Sequence, residues 1–247
     1  MRRILILLGC LLGGMMLLVP SLALAQSVNI DMGQQGGAGA TARLVQLTAL
    51  IGLLSLAPSL LVMATAFGRI IIVLSLLRSA IGAQGVPPNP VLIGLALFLT
   101  WFVMEPVIQQ SWTQGVEPLN NGQMDLATAV PAMAEPFRQF MAARVDPDTF
   151  AALRDLRPGE TAPPDRAPFS LLTPAFVLSE LARAFQIGFL IFLPFLIIDL
   201  VVAAVLMAMG MMMVPPAIVS LPFKLAFFVV ADGWTLISGA LVRSYLS

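Results

Sequence analysis

Long apolar runs alternate with short polar interruptions along this chain, and the position of each interruption decides which element a run can form. Residues 1–25 begin with Arg2 and Arg3, stay apolar to Val19 and end in Ala23, Leu24 and Ala25 ahead of Gln26. That order predicts a cleavable secretory signal cut between Ala25 and Gln26. A lipobox at Leu7–Cys10 is the rival, although the six residues between Arg3 and Cys10 leave little room for an apolar core, and an uncleaved first helix is another. A Gly-, Gln- and Ala-rich linker fills 26–43. Apolar sequence then runs from Leu44 to Leu77, broken by Pro58 and carrying Arg69, long enough for one spanning helix and a shorter preceding piece. The segment RSAIGAQGVPPNP stops that helix, and a second apolar helix is predicted over Val91 to Val107.

Between Glu105 and Arg166 nine acids face five arginines, which marks a soluble, mildly acidic insertion. Within it, EPFRQFMAARVDPDTFAALRDL has apolar residues at helical spacing, whereas RPGETAPPDRAP is a proline-broken loop; two short helices and a flexible tail are expected. Two further apolar helices are predicted, over about Pro174 to Met209 and about Ala217 to Leu241, joined by the turn LMAMGMMMVPP. The fold class is therefore all-α, an integral membrane-complex protein with two long helical hairpins, 44–107 and 171–247, flanking a small helical insertion at 108–170.

Composition narrows the class. Of the 247 residues, 59% are hydrophobic and 11% charged, and the mean hydropathy is +0.94, far above a soluble domain. Thirteen basic and thirteen acidic residues cancel, so no basic excess recruits phosphates and nucleic acid is a poor partner. The chain has no histidine and a single cysteine, Cys10, inside the expected signal. Disulfides, thiol chemistry, the usual general base and the common zinc ligands are thus missing, no metal or cofactor is expected, and most enzyme classes are disfavoured.

Charges inside apolar helices are costly and face a protein interior or a pore. Here they are Arg69, Glu180, Arg183, Asp199, Lys224 and Asp232. Asp199 and Lys224 each lie roughly 18 to 20 Å from the centre of the Met-rich turn at about 1.5 Å per residue, level with one another and placed to pair. Such a pair would fix helix register; the rival is a proton relay. Glu180 and Arg183, three apart, are spaced to pair along one face. Arg69 has no acid at matching depth in its own hairpin, so its counter-charge must come from elsewhere in the fold or from another chain, and it reads as an assembly contact.

Topology sharpens the oddity of the turn. A cleaved signal leaves the N-terminus outside, Arg78 inside and the acidic insertion outside, in keeping with the positive-inside bias. By the same count the Met-rich turn faces inward, yet it carries no charge. Methionine serves as an adaptable apolar filler in cores, but Met207, Met209, Met211, Met212 and Met213 crowd a chain reversal, with Gly210 for backbone freedom and Pro215 and Pro216 to stop the helix. A ring of such turns from several subunits would close without water and yield to irregular cargo, a seal that blocks ions by dewetting.

Three stretches carry a family resemblance: FGRIIIVLSLLRSAIGAQGVPPNPVLIGLALFLTWFVMEPV, PAFVLSELARAFQIGF and MGMMMVPPAIVSLPFKLAFFVVADGW. They resemble the FliP family of flagellar export-gate proteins and its virulence-secretion relatives from about Leu56 to Tyr245, with the acidic insertion only loosely similar. The resemblance implies a non-enzymatic subunit that forms a pentameric ring. With FliQ and FliR it would build a helical gate for unfolded export substrates, with FlhA and FlhB as further partners, in the bacterial inner membrane at the flagellar basal body. The insertion would then lie on the periplasmic side. The resemblance also implies that Met211, Met212 and Met213, flanked by Met209 and Gly210, form a methionine gasket, and that Glu180, Asp199 and Lys224 fall on charged motif positions. Family members hold the hairpins largely above the membrane plane, which would account for the uncharged turn. The signal and the sizeable insertion favour the flagellar branch.

Two other functions compete. A small-solute transporter or proton channel would use the charges at Asp199 and Lys224. An intramembrane aspartyl protease would use Asp199 and Asp232, but IIDLV and VADGW lack that catalytic pattern.

Overall fold

The structure is a computed structural model. It describes residues 62–246 apart from 84 and 212, together with 48, 52 and 55. The expected signal with its Ala25–Gln26 cut, the 26–43 linker and nearly all of 44–61 lie outside the described residues, as does Met212. Two units divide the chain, Met1–Leu53 and Leu54–Ser247, and the helices from Phe67 onward belong to the second.

Every regular element among the described residues is a helix. Helix α1, Phe67–Ile81, buries Arg69, Ile70, Val73, Leu74, Leu77, Ala80 and Ile81, a stripe at helical spacing. Helix α2, Asn89–Ser111, starts on two prolines that suit a helix N-terminus. It does not stop near Val107. It continues through a π-helical turn, Trp112–Val116, into α3, Glu117–Asn120. Pro106 interrupts the sequence pattern without ending the helix.

The insertion contains α4, Leu126–Ala142, and α5, Pro147–Asp155, the two short helices expected. Each opens on an aspartate that accepts a backbone N–H from the threonine three residues on: Asp125 from Thr128 at 3.2 Å and Asp146 from Thr149 at 2.9 Å. These side chains satisfy otherwise orphaned donors. The proline-rich loop that follows is tied down by Arg157, which donates to the Oγ and carbonyl of Ser170, both at 3.0 Å.

Helix α6, Phe169–Ala208, has 40 residues, about 60 Å at ~1.5 Å per residue, twice the ~30 Å thickness of a bilayer's hydrocarbon core. Its two halves differ. From Leu171 to Gly188 it repeatedly presents buried residues, whereas beyond that point only Phe195 and Leu206 are buried. Helix α1 packs along it more extensively than any other element. One core joins α1, α2, α4, α5, α6 and the C-terminal helix around Leu74, Met104, Phe140, Phe176 and Tyr245. A smaller one gathers Leu77, Ile81, Phe195 and Phe228.

The last apolar run corrects the expectation of a single helix over 217–241. It forms α7, Pro216–Val230, and α8, Gly233–Leu246, bent by 60°. Asp232 sits at the break with φ +47°, in the left-handed region that asparagine and aspartate tolerate better than other non-glycine residues. Gly233 follows because a Cβ there would lie 2.1 Å from the Phe228 ring. By length and composition, Asn89–Asn120 and Phe169–Ala208 can cross a membrane, and the bent α7–α8 pair would make a third crossing if it is one broken span.

Candidate methionine seal and its charged supports

The Met-rich turn caps α6 by main-chain bonds. Gly210 has φ +75°; its N–H donates to the Met207 carbonyl and the Met211 N–H to the Leu206 carbonyl, each at 3.0 Å. This paired pattern with a left-handed glycine is a Schellman motif, which closes a helix without help from any side chain. Pro215 and Pro216 then start α7. The methionine side chains take no part in that closure. Met207, Met209 and Met211 are exposed and Met213 is 97% exposed, so within one chain they do not serve as core filler. Exposed apolar groups clustered this way mark a surface that something else covers.

Two charged clusters brace the hairpins behind this tip. In the first, Lys224 Nζ donates to Asp199 Oδ2 at 2.7 Å and to the Ala80 carbonyl at 3.2 Å, and Ser220 Oγ donates to Asp199 Oδ1 at 2.6 Å. The pair joins α6 to α7, and the ammonium also caps the C-terminal end of α1, where a cation is favoured. The pairing expected from level positions on the two arms is present.

In the second cluster, Arg69 donates to Glu180, and the Tyr245 hydroxyl donates to the other carboxylate oxygen. Arg69 also reaches Ser244 Oγ at 3.1 Å, and its guanidinium lies 4.1 Å from the Tyr245 ring centre. The counter-charge of Arg69 thus comes from elsewhere in the same fold. Glu180 does not pair with Arg183 as their spacing suggested. It turns inward to α1 and α8, while Arg183 stays half-buried with no ion pair among the described residues. Asp232 is exposed at the helix break and apart from Asp199's partners.

Two residues that the sequence reading did not single out complete this network. Arg144, from the insertion, donates to the Tyr245 carbonyl at 2.6 Å and to the Phe140 carbonyl at 3.1 Å, and stacks 4.1 Å above the Phe140 ring. Tyr245, the chain's single tyrosine, connects Glu180, Arg69 and Arg144. No periodicity pointed to it, because its partners lie 65 to 179 residues away. Among the described residues, no group of three or more acidic or thiol side chains is placed to hold a metal ion.

Comparison with known proteins places the chain in a family. The chain is 55% identical over 232 residues to the Flagellar biosynthetic protein FliP of Caulobacter vibrioides, covering 92% of this chain and 86% of that one. It is 44% identical to the protein of the same name from Agrobacterium fabrum, over 93% and 96% of the two chains. The Bacillus subtilis protein of that name is 45% identical, over 81% and 91%. The family model described as FliP family matches residues 50–241, and the chain therefore belongs to the FliP family.

Proposed function

We propose that this chain is a subunit of the flagellar protein export gate, oligomerising through its exposed apolar helices and contributing its methionine tip to a compliant seal across the pore. The observation that carries the reading is the tip itself: a backbone-satisfied reversal whose described methionines are all exposed. Similarity to proteins named for flagellar biosynthesis supports the pathway. Support for assembly comes from α6, of whose most apolar stretch only 11% is buried within one chain, leaving a face for other subunits or lipid.

In this reading Met209, Met211, Met212 and Met213 close against their counterparts in a ring, pentameric by resemblance, together with FliQ and FliR. FlhA and FlhB act alongside, and unfolded substrates pass through. Unbranched thioether side chains adapt to irregular surfaces, and an apolar constriction excludes ions by excluding water. Asp199 with Lys224 and Arg69 with Glu180 hold helix register, and the insertion lies on the periplasmic side of the inner membrane. The signal, the linker, the two hairpins and the insertion keep the borders given above.

The test is to replace Met211, Met212 and Met213 together by alanine and express the assembled gate with its partners. Ion leakage across the membrane is expected; unchanged conductance would sink the seal. Native mass spectrometry of the solubilised chain co-expressed with FliQ and FliR should give a ring of several copies containing both partners. A solitary chain would return the methionines to another role.

A further inference from the structure

A groove of about 480 Å³ runs between α6 and α8, floored by Ile187, Leu190, Ile191, Leu236, Ile237 and Ala240. That volume lies in the range of small-ligand sites, roughly 300–1,000 Å³, but its walls offer almost no polar partner. Arg243 and Ser244 line one end. Ser244 Oγ donates to the Leu241 carbonyl and accepts from Arg69. Arg243 is exposed and has no hydrogen-bond or ion-pair partner among the described residues.

The guanidinium of Arg243 is seated by Gly239, one helical turn earlier: its Nη1 lies 3.3 Å from where a Cβ at Gly239 would stand. A larger residue there would push it off the helix surface. A second unpaired cation belongs to the same end. Arg69 bridges Glu180 of α6 to Ser244 of α8, which sets those two residues at one level. Arg183, three residues beyond Glu180 and four before Ile187, shares the helix face that enters the groove. Two charges of the insertion act on it: Asp146, whose carboxyl it helps to hold below the usual range after the two Thr149 hydrogen bonds, and Arg144, a like charge.

We propose that this groove holds an acyl chain of an anionic phospholipid, with the headgroup phosphate held by Arg243 and Arg183 at the insertion end. An apolar trough with two unpaired guanidinium groups at one mouth is complementary to an anionic amphiphile, and guanidinium matches phosphate geometry. The orientation is self-consistent: the headgroup end adjoins the soluble insertion, through Arg144 and Tyr245, and the apolar end descends along Leu190 and Leu236. The proposal needs only that this face meets lipid, and it stands apart from the export-gate reading.

The full chain, purified in detergent, is offered dioleoylphosphatidylglycerol or dioleoylphosphatidylcholine, which share acyl chains and differ in headgroup charge, and retained lipid is read by native mass spectrometry. Phosphatidylglycerol should be retained at least about fivefold better, the worth of one arginine beside an anionic surface. Arg243→Gln should weaken the preference, Arg183→Gln combined with Arg243→Gln should erase it, and Ala240→Phe, which fills the groove, should release both lipids. Equal retention, or a preference undiminished when Arg183 and Arg243 are both glutamine, would overturn the assignment. A photo-crosslinker at position 240 decides occupancy independently of any folding defect in Ala240→Phe. Lipid adducts support the proposal, whereas adducts to a second protein chain make the groove a subunit interface and overturn it.

Discussion

Arg69 is 2% exposed, and its Nε has no hydrogen-bond partner, so its charge depends on Glu180, Ser244 and the Tyr245 ring. Glu180→Ala would leave that guanidinium buried without a counter-ion, and removing one partner of a buried pair costs about 3–5 kcal/mol. A matching loss in unfolding free energy is expected, with Tyr245→Phe costing less because the ion pair survives. The helix caps make a pH prediction of opposite visibility. Hydrogen bonds from Thr128 and Thr149 hold the Asp125 and Asp146 carboxyls below the usual aspartate value. Their stabilisation is therefore present above the unfolded value of about 4 and is lost as pH falls through the depressed folded values. Helicity of the insertion should drop on acidification by circular dichroism, and Asp125→Asn with Asp146→Asn should flatten that dependence, since asparagine caps without titrating. These caps are local patterns; the Arg69 cluster was invisible in sequence because its members are linked only by packing. Arg183 shows the limit of spacing rules: three residues from Glu180 it is a geometric neighbour, yet a deeper cation took the carboxylate.

Helix existence followed from the apolar runs, because a run of such length has few other ways to satisfy its backbone. The symmetric placement of Asp199 and Lys224 about the turn was legible for the same reason, since helix rise converts residue number into height. The break at Asp232–Gly233 was not taken from the sequence although the Asp-Gly pair is a turn signal; the surrounding hydrophobicity masked it. Gly233→Ala should destabilise by about 1–3 kcal/mol, the cost of forcing a methyl into a packed site, because Phe228 occupies that space and itself packs edge-on to Trp234 at 5.3 Å. Asp232→Asn should be neutral in stability and motility, because the exposed carboxylate joins no ion pair among the described residues and asparagine accepts the same backbone. Loss of function in that variant would instead place the carboxylate in a contact made only on assembly.

At the scale of the molecule, stability is lopsided. The insertion end of α6 lies in the larger core, while its far half and the tip meet few partners within the chain. Regions with few buried contacts open more readily, so amides over 196–215 should exchange faster than those over 171–188 in the isolated subunit, and the difference should shrink in the assembled gate. Equal rates in both states would remove assembly as the source of order at the tip. The sequence conveyed the apolar character of this end but not its exposure: the far half of α6 is the oilier one, since Ser179, Glu180, Arg183 and Gln186 all lie in the first half, yet fewer of its residues are buried within the chain. The closure at Gly210 adds a mechanical consequence. Because main-chain bonds tie the reversal among the described residues, a load on the methionines of the proposed seal would deform thioether arms and leave the loop's fastening untouched. In the proposed seal, such a tip would behave as soft bristles on a stiff handle, able to return to one rest position after each passage with nothing to refold.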